Sequence, residues 1–215
     1  MATNTEKRRQ HQRGVETRTR LVEAALAEFA QRGFDGASTR AIATSAGVAQ
    51  SAVRHHFETK EALWKAAVDH VFGLLRAQFE SRVAGLAGVE APTRARLLLR
   101  DLVYFSAAHP ELNRFMVQEG SQKSARLEWL VENHVRPIFT FLTGQSRELE
   151  ALGTPVVGSR ALAHYMVIGA ASAPYSLAAE YELVTGEDPF AKEGIEAHAD
   201  AVVDLFLPKT KQETT

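Results

Sequence analysis

Between Ser38 and Phe57 the chain runs Ser-Thr-Arg-Ala-Ile-Ala-Thr-Ser-Ala-Gly-Val-Ala-Gln-Ser-Ala-Val-Arg-His-His-Phe, a stretch that leaves little freedom of fold. It reads as two short helices broken at Gly47. Ser38 is placed to accept hydrogen bonds from the unpaired amides that open a helix, Ile42 and Ala43 turn toward a core, and Gly47 gives the backbone the freedom a tight turn needs. Val48 anchors the turn. A second helix from about Gln50 to His56 puts Val53 and Phe57, four apart, on one buried face. Gln50, Ser51, Arg54 and His55 are left pointing away, with side chains suited to phosphates and base edges. Two helices joined in this way form the helix-turn-helix pattern of DNA-binding proteins.

The charge distribution agrees with that reading. The net charge of the 215 residues is only −1, but up to Phe57 nine basic residues face five acidic ones, so the remainder carries the acidic excess. A basic head on an acidic body implies that the head alone meets a polyanion. The absence of cysteine excludes disulfides and cysteine-based zinc sites and fits a cytoplasmic location. Residues 1–16 read as a disordered basic arm, since Met1 to Gly14 has no apolar segment of the kind a signal peptide or anchor needs. Ala161 to Ala179 is free of Asp, Glu, Lys and Arg, but His164, Ser172, Pro174 and Ser176 interrupt it. It reads as a buried or subunit-interface helix rather than a membrane span.

Helical punctuation continues along the chain. Leu21, Val22, Ala25, Leu26 and Phe29 give a first helix over Thr17 to Gln31, closed by Arg32-Gly33. Thr59 caps a long helix from Lys60 to about Val83. Pro92 opens a helix to about His109, Pro110 a short one to Gln118, and Ser124 to about Leu149 forms a long one that Pro137 should kink. After a loop around Gly153-Thr-Pro155, helices are expected over Arg160 to about Val184 and Phe190 to Leu207, with a frayed tail at 209–215. The fold class is therefore all-α, a three-helix head and a helical body, with domain limits at 17–62 and 63–208.

The residues from Thr17 to Val68 resemble the TetR family of bacterial transcriptional regulators. The likeness rests on Leu21 to Ser38, Ile42 to Val48 and His56 to Leu63, which follow the family's pattern of apolar, glycine and His-Phe-x-Ser/Thr-Lys-Glu positions. Beyond Val68 only helical layout and length match. The resemblance implies a homodimer with a DNA-binding head and a body that binds a small effector. The implied DNA-contact set is Ser38, Thr39, Arg40, Gln50, Ser51, Arg54, His55, Thr59 and Lys60, with Lys60 on a phosphate and Gln50 and Ser51 reading base edges. Two positions depart from the pattern: Ala49 stands where the recognition helix is commonly capped by Ser or Thr, and Arg54 where a Tyr commonly touches phosphate.

In the body, Tyr104, Phe105, Phe115, Met116, Trp129, His134, Tyr165, Met166 and Tyr175 each fit core or interface packing singly, and together form a candidate lining for an apolar effector pocket. His134 and Asn113 are candidates to orient a ligand. The helices at 160–184 and 190–207 are the expected dimer elements, because Gly169 to Ala173 permits close approach and Ala201, Val202, Leu205 and Phe206 form an apolar stripe. No metal or other cofactor is expected, since His55 and His56 are adjacent and point about 100° apart on a helix. The chain has no Gly-rich phosphate loop, His-Glu-x-x-His or nucleophile elbow, which argues against an enzyme. The expectation is a repressor that binds a palindromic operator and leaves it on binding an effector. The alternative is an effector-independent DNA-binding protein or helical interaction module.

Overall fold

The computed structural model describes residues 4–151 and 158–207, and the regular elements among them are all helical. They are α1 (Asn4–Gly36), α2 (Thr39–Ser45), α3 (Gln50–His56), α4 (Lys60–Gly85), α5 (Ala91–Ala108), α6 (Pro110–Gly120), α7 (Ala125–Leu130), a π-helical turn (Val131–Val135), α8 (Arg136–Ala151), α9 (Arg160–Ser176), α10 (Ala178–Thr185) and α11 (Lys192–Phe206). Two compact units divide them. The first holds residues up to Gly73 together with Arg114–Leu127, and the second holds Leu74–Asn113 and residues from Glu128 onward. The division thus falls inside α4 rather than at 62/63, because Leu63, Trp64, Ala67, Val68 and Val71 are fully buried and belong to the first core.

Three expectations need correction. The basic arm is not irregular: α1 begins at Asn4, and the Glu, Lys, Arg and Gln residues that dominate this stretch are good helix formers even where they are exposed. The first helical run is interrupted at Gly33, at the expected Arg32-Gly33 stop, with a φ of 67° that only glycine adopts freely. The long helix around Pro137 is resolved into α7, a π-helical turn and α8; the extra residue per turn precedes the proline, where the ordinary hydrogen-bond ladder is lost. The expected helix 160–184 ends at Ser176 and restarts at Ala178, with Leu177 at φ −106° and ψ 29° between them.

Pro174 helps explain that break. It has no N–H to donate to the Ala170 carbonyl, and Nε2–H of His198 on α11 donates to that oxygen instead, at 2.9 Å. The other ring nitrogen, Nδ1, accepts from the Tyr175 hydroxyl at 2.9 Å. Burial lowers the His198 pKa and keeps the ring neutral, as this pattern requires, and burial with the neighbouring Tyr181 and Tyr104 pushes Tyr175 up to about 12. Around this brace lies a body core of Val103, Ala171, Tyr175, Ala199 and Val202, drawn from α5, α9 and α11. The stretches 152–157 and 208–215, with the expected Gly153-Thr-Pro155 loop and the tail, lie outside the described residues, and among those described no helix is long and apolar enough to cross a membrane.

Candidate functional site

The head is assembled from the buried stripe of α1, on which Leu21, Val22, Ala25, Leu26 and Phe29 are at most 4% exposed. This stripe packs on α2 and α3. An aromatic file extends the core: Phe29 and Phe34 stack at 5.9 Å, Phe34 meets Trp64 edge-on at 6.5 Å, and Trp64 lies 5.6 Å from Phe115. Phe115, expected among pocket residues, is therefore fully buried in the head's core, and Met116 belongs to the same unit.

The turn between α2 and α3 is set by hydrogen bonds. Ser38 Oγ accepts from the Ala41 amide at 3.4 Å and opens α2. At its end the Gly47 amide donates to the Thr44 carbonyl (3.1 Å) and the Val48 amide to Ala43 (3.0 Å), the crossed pair of a Schellman motif. That motif needs the left-handed φ of 65° that Gly47 supplies. Ala49 then opens α3 with no side-chain cap.

Val53 and Phe57 are buried as the spacing predicts, and Gln50, Ser51, Arg54 and His55 are exposed. Ser38, Arg40 and Thr59 are also exposed, and Thr39 is half-buried. Thr59 Oγ1 accepts from the Ala62 amide at 3.0 Å and so caps α4. Lys60 is partly withdrawn: its ammonium sits 4.8 Å from the Phe34 ring centroid and donates to the Asp35 carbonyl at 3.4 Å. On the same ring, Arg126 lies 3.8 Å from the centroid and pairs with the buried Glu119 at 3.5 Å. Arg18 covers the Phe57 ring at 5.1 Å. Partial burial, then the positive fields of His55 and Arg18, lower the His56 pKa, so this ring stays neutral at pH 7.

In the body, α4, α5, α8, α9 and the end of α11 line a partly open cavity of about 590 Å³. Its walls are mostly apolar, with Leu75, Phe79, Leu98, Leu102, Ile138, Phe141, Val167 and Phe206 among them. Arg76, Glu80, Thr143, Arg160 and His164 contribute the polar groups. None of the nine residues read from sequence as pocket lining borders it. Tyr104 receives a hydrogen bond from Arg100 at 2.9 Å, Phe105 stacks on His109 at 4.5 Å, and Tyr175 is tied to His198. Trp129 and His134 pack against each other at 5.3 Å, while Tyr165 and Met166 are exposed on α9. Asn113 donates to Ser176 Oγ at 3.0 Å. The cavity residues that sequence reading passed over looked like ordinary core positions, and the one local signal was Arg160 with His164 four residues on, at the start of a stretch otherwise free of charge.

The apolar stripe expected on the last helix divides: Val202 is buried and Phe206 borders the cavity, whereas Leu205 is 66% exposed. With Leu162, Tyr165, Met166, Leu177, Leu183 and Val184 also exposed, α9 to α11 carry many outward apolar groups.

Comparison with known proteins places the head. The profile of the bacterial regulatory proteins of the tetR family matches residues 21–67. The transcriptional regulatory protein RaaS of Mycobacterium tuberculosis is 32% identical over 114 residues, 53% of this chain and 51% of that protein. The chain thus spans about half the length of that curated relative. Among solved structures, AibR in complex with isovaleryl coenzyme A and operator DNA is 16% identical with a TM-score of 0.68, over 90% of this chain and 100% of that one. FadR of Bacillus subtilis in complex with stearoyl-CoA is also 16% identical, with a TM-score of 0.63 over 89% and 99% of the two chains. These two share the fold across the head and the body. With the profile falling on the helices whose geometry is described above, residues 21–67 form a helix-turn-helix domain of the bacterial regulatory proteins of the tetR family.

Proposed function

We propose that the protein is a transcriptional repressor that binds a palindromic operator as a homodimer and is released from it by a small molecule held in the body cavity. The observation that carries the DNA-binding part is α3, whose buried Val53 and Phe57 fix the helix while Gln50, Ser51, Arg54 and His55 stay exposed. Gln50 and Ser51 suit base edges, and Arg54, Arg40 and Lys60 suit phosphates. Two copies with recognition helices about 34 Å apart would engage successive major grooves. The exposed apolar groups of α9 to α11 support pairing through those helices.

The cavity volume of about 590 Å³ lies within the range of small-molecule sites, about 300–1,000 Å³. That two structural neighbours hold acyl-coenzyme A supports ligand binding in this body. Coupling requires the effector to favour one of two conformations. One element suited to carry it is α4, which begins at Lys60 beside the DNA-contact candidates and supplies Leu75 and Phe79 to the cavity wall.

Binding of the full-length protein to DNA upstream of its own gene, titrated by fluorescence anisotropy between 50 and 200 mM salt, tests the reading. Affinity should fall steeply with salt, as counterion release demands. Equal affinity for unrelated DNA, or no salt slope, would sink the repressor reading. Undiminished operator affinity with every ligand that demonstrably fills the cavity would favour an effector-independent DNA-binding protein.

A further inference from the structure

Two buried polar atoms on one face of α9 have no hydrogen-bond partner: Nε of Arg160 and Nδ1 of His164. Residues four apart on a helix are neighbours on its surface, and both of these border the cavity. An unsatisfied buried donor costs about 1–3 kcal/mol, so such a pair is out of keeping with a cavity meant only to be greasy. His164 is 91% buried by its 9% exposure, and Phe139 fixes its ring edge-on at 5.1 Å. Arg160 is held on its other side by an ion pair from its terminal nitrogen to Glu150, which orients the guanidinium and leaves Nε–H free.

We infer that the cavity takes an elongated, mainly apolar ligand whose carboxylate or acyl carbonyl oxygen seats on Arg160 Nε–H and His164 Nδ1. This rests on the proposed role of the cavity as the effector site. Desolvation lowers the His164 pKa, so near neutral pH the ring is uncharged and can present N–H at Nδ1 to an acceptor. Arg160 then supplies the cationic hydrogen bond, the stronger kind. If each methylene-sized group takes about the 30 Å³ that a water takes in the liquid, the cavity holds on the order of twenty non-hydrogen atoms. A saturated chain fits the apolar walls from α4, α5 and α8, with its head at the start of α9.

Isothermal titration of the full-length protein with dodecanoate, methyl dodecanoate and dodecyltrimethylammonium, each below its micelle concentration, tests the assignment. Dodecanoate should bind at least about tenfold more tightly than the cationic amphiphile, since one pair of charge-assisted hydrogen bonds supplies at least that factor. A methyl ester that binds much more weakly than the acid identifies a free carboxylate as the natural head, and one that binds equally well identifies an acyl carbonyl. Arg160→Met combined with Glu150→Gln removes the ion pair with its charge balanced and should abolish the preference for dodecanoate. His164→Phe, which keeps the ring packing, should weaken dodecanoate severalfold and leave the cation unchanged, and it serves if the double variant does not fold. Equal binding of dodecanoate and the cation, unmoved by either variant, would overturn the head-group seat while leaving the cavity as a binding site. Failure of all three probes to bind would remove the cavity reading itself, and this inference with it.

Discussion

Along α3 the polar side chains face outward and the apolar ones complete a packed core, whereas α9 is arranged the other way, with Leu162 and Tyr165 outside and Arg160 and His164 on the wall of a cavity. The head is filled and turns its polar groups outward. The body leaves space among its helices and turns polar groups toward it. A surface of the first kind is specified by a local repeat on a fixed scaffold. A hollow is specified only by what several distant helices jointly leave unoccupied, so similar apolar residues serve opposite ends in the two units.

The contrast between filled and hollow regions is most exposed to large-to-small substitution. Trp64 is fully buried against Phe34 and Phe115, so Trp64→Ala should cost about 3–5 kcal/mol in urea denaturation. Phe141, at 37% exposure beside the cavity, already lacks neighbours on one side, and Phe141→Ala should cost well under half as much. Equal losses would mean that the two units are packed alike.

Adding volume reverses the test. Ala43, 2% exposed in the head, should resist Ala43→Val at a cost of about 1–3 kcal/mol, while Val167→Phe on the cavity wall should change stability by less than about 1 kcal/mol and block ligand binding. A strongly destabilised Val167→Phe would show that the hollow has no room for a ring.

Backbone changes at the start of α3 give the next smaller effects. Gly47→Ala places a side chain at φ 65° and should cost about 1–2 kcal/mol. Ala49→Ser should return about 0.5–1 kcal/mol by supplying the missing cap, read as a shift in denaturation midpoint at constant slope. If it stabilises nothing, the helix end is already satisfied by another route.

The smallest effect is one of pH and belongs mainly to the body. His164 and His198 are both lowered from 6.5 by burial, so the folded protein resists protons that the unfolded chain accepts. Stability is then full above about pH 6.5 and declines as pH falls below it. Thermal unfolding should occur at a lower temperature at pH 5.5 than at pH 7, and His164→Phe should flatten the decline. A variant with the parent's slope would leave His198 and His56 as its source.

How legible each region was follows from the same contrast. The spacing of Val53 and Phe57 was enough to orient Gln50, Ser51, Arg54 and His55, because one helix and one glycine turn determine that face. Aromatic content was a poor guide to the cavity: Phe115 belongs to the head core, Tyr104 to an arginine and Tyr175 to a histidine. Leu75, Leu98 and Ile138, by contrast, carry no mark in sequence that separates a cavity wall from a core. Helix ends followed the same rule. Pro110 and Thr59 act locally and mark their elements, while the partner that the Ala170 carbonyl finds in place of Pro174 is His198, more than twenty residues away.

That separation has a consequence for synthesis on the ribosome. When α9 first emerges, the Ala170 carbonyl has only water to bond, since Pro174 offers it nothing and His198 has not yet been made. That carbonyl gains its protein partner only once α11 follows, so a nascent chain halted before His198 leaves it bonded to water.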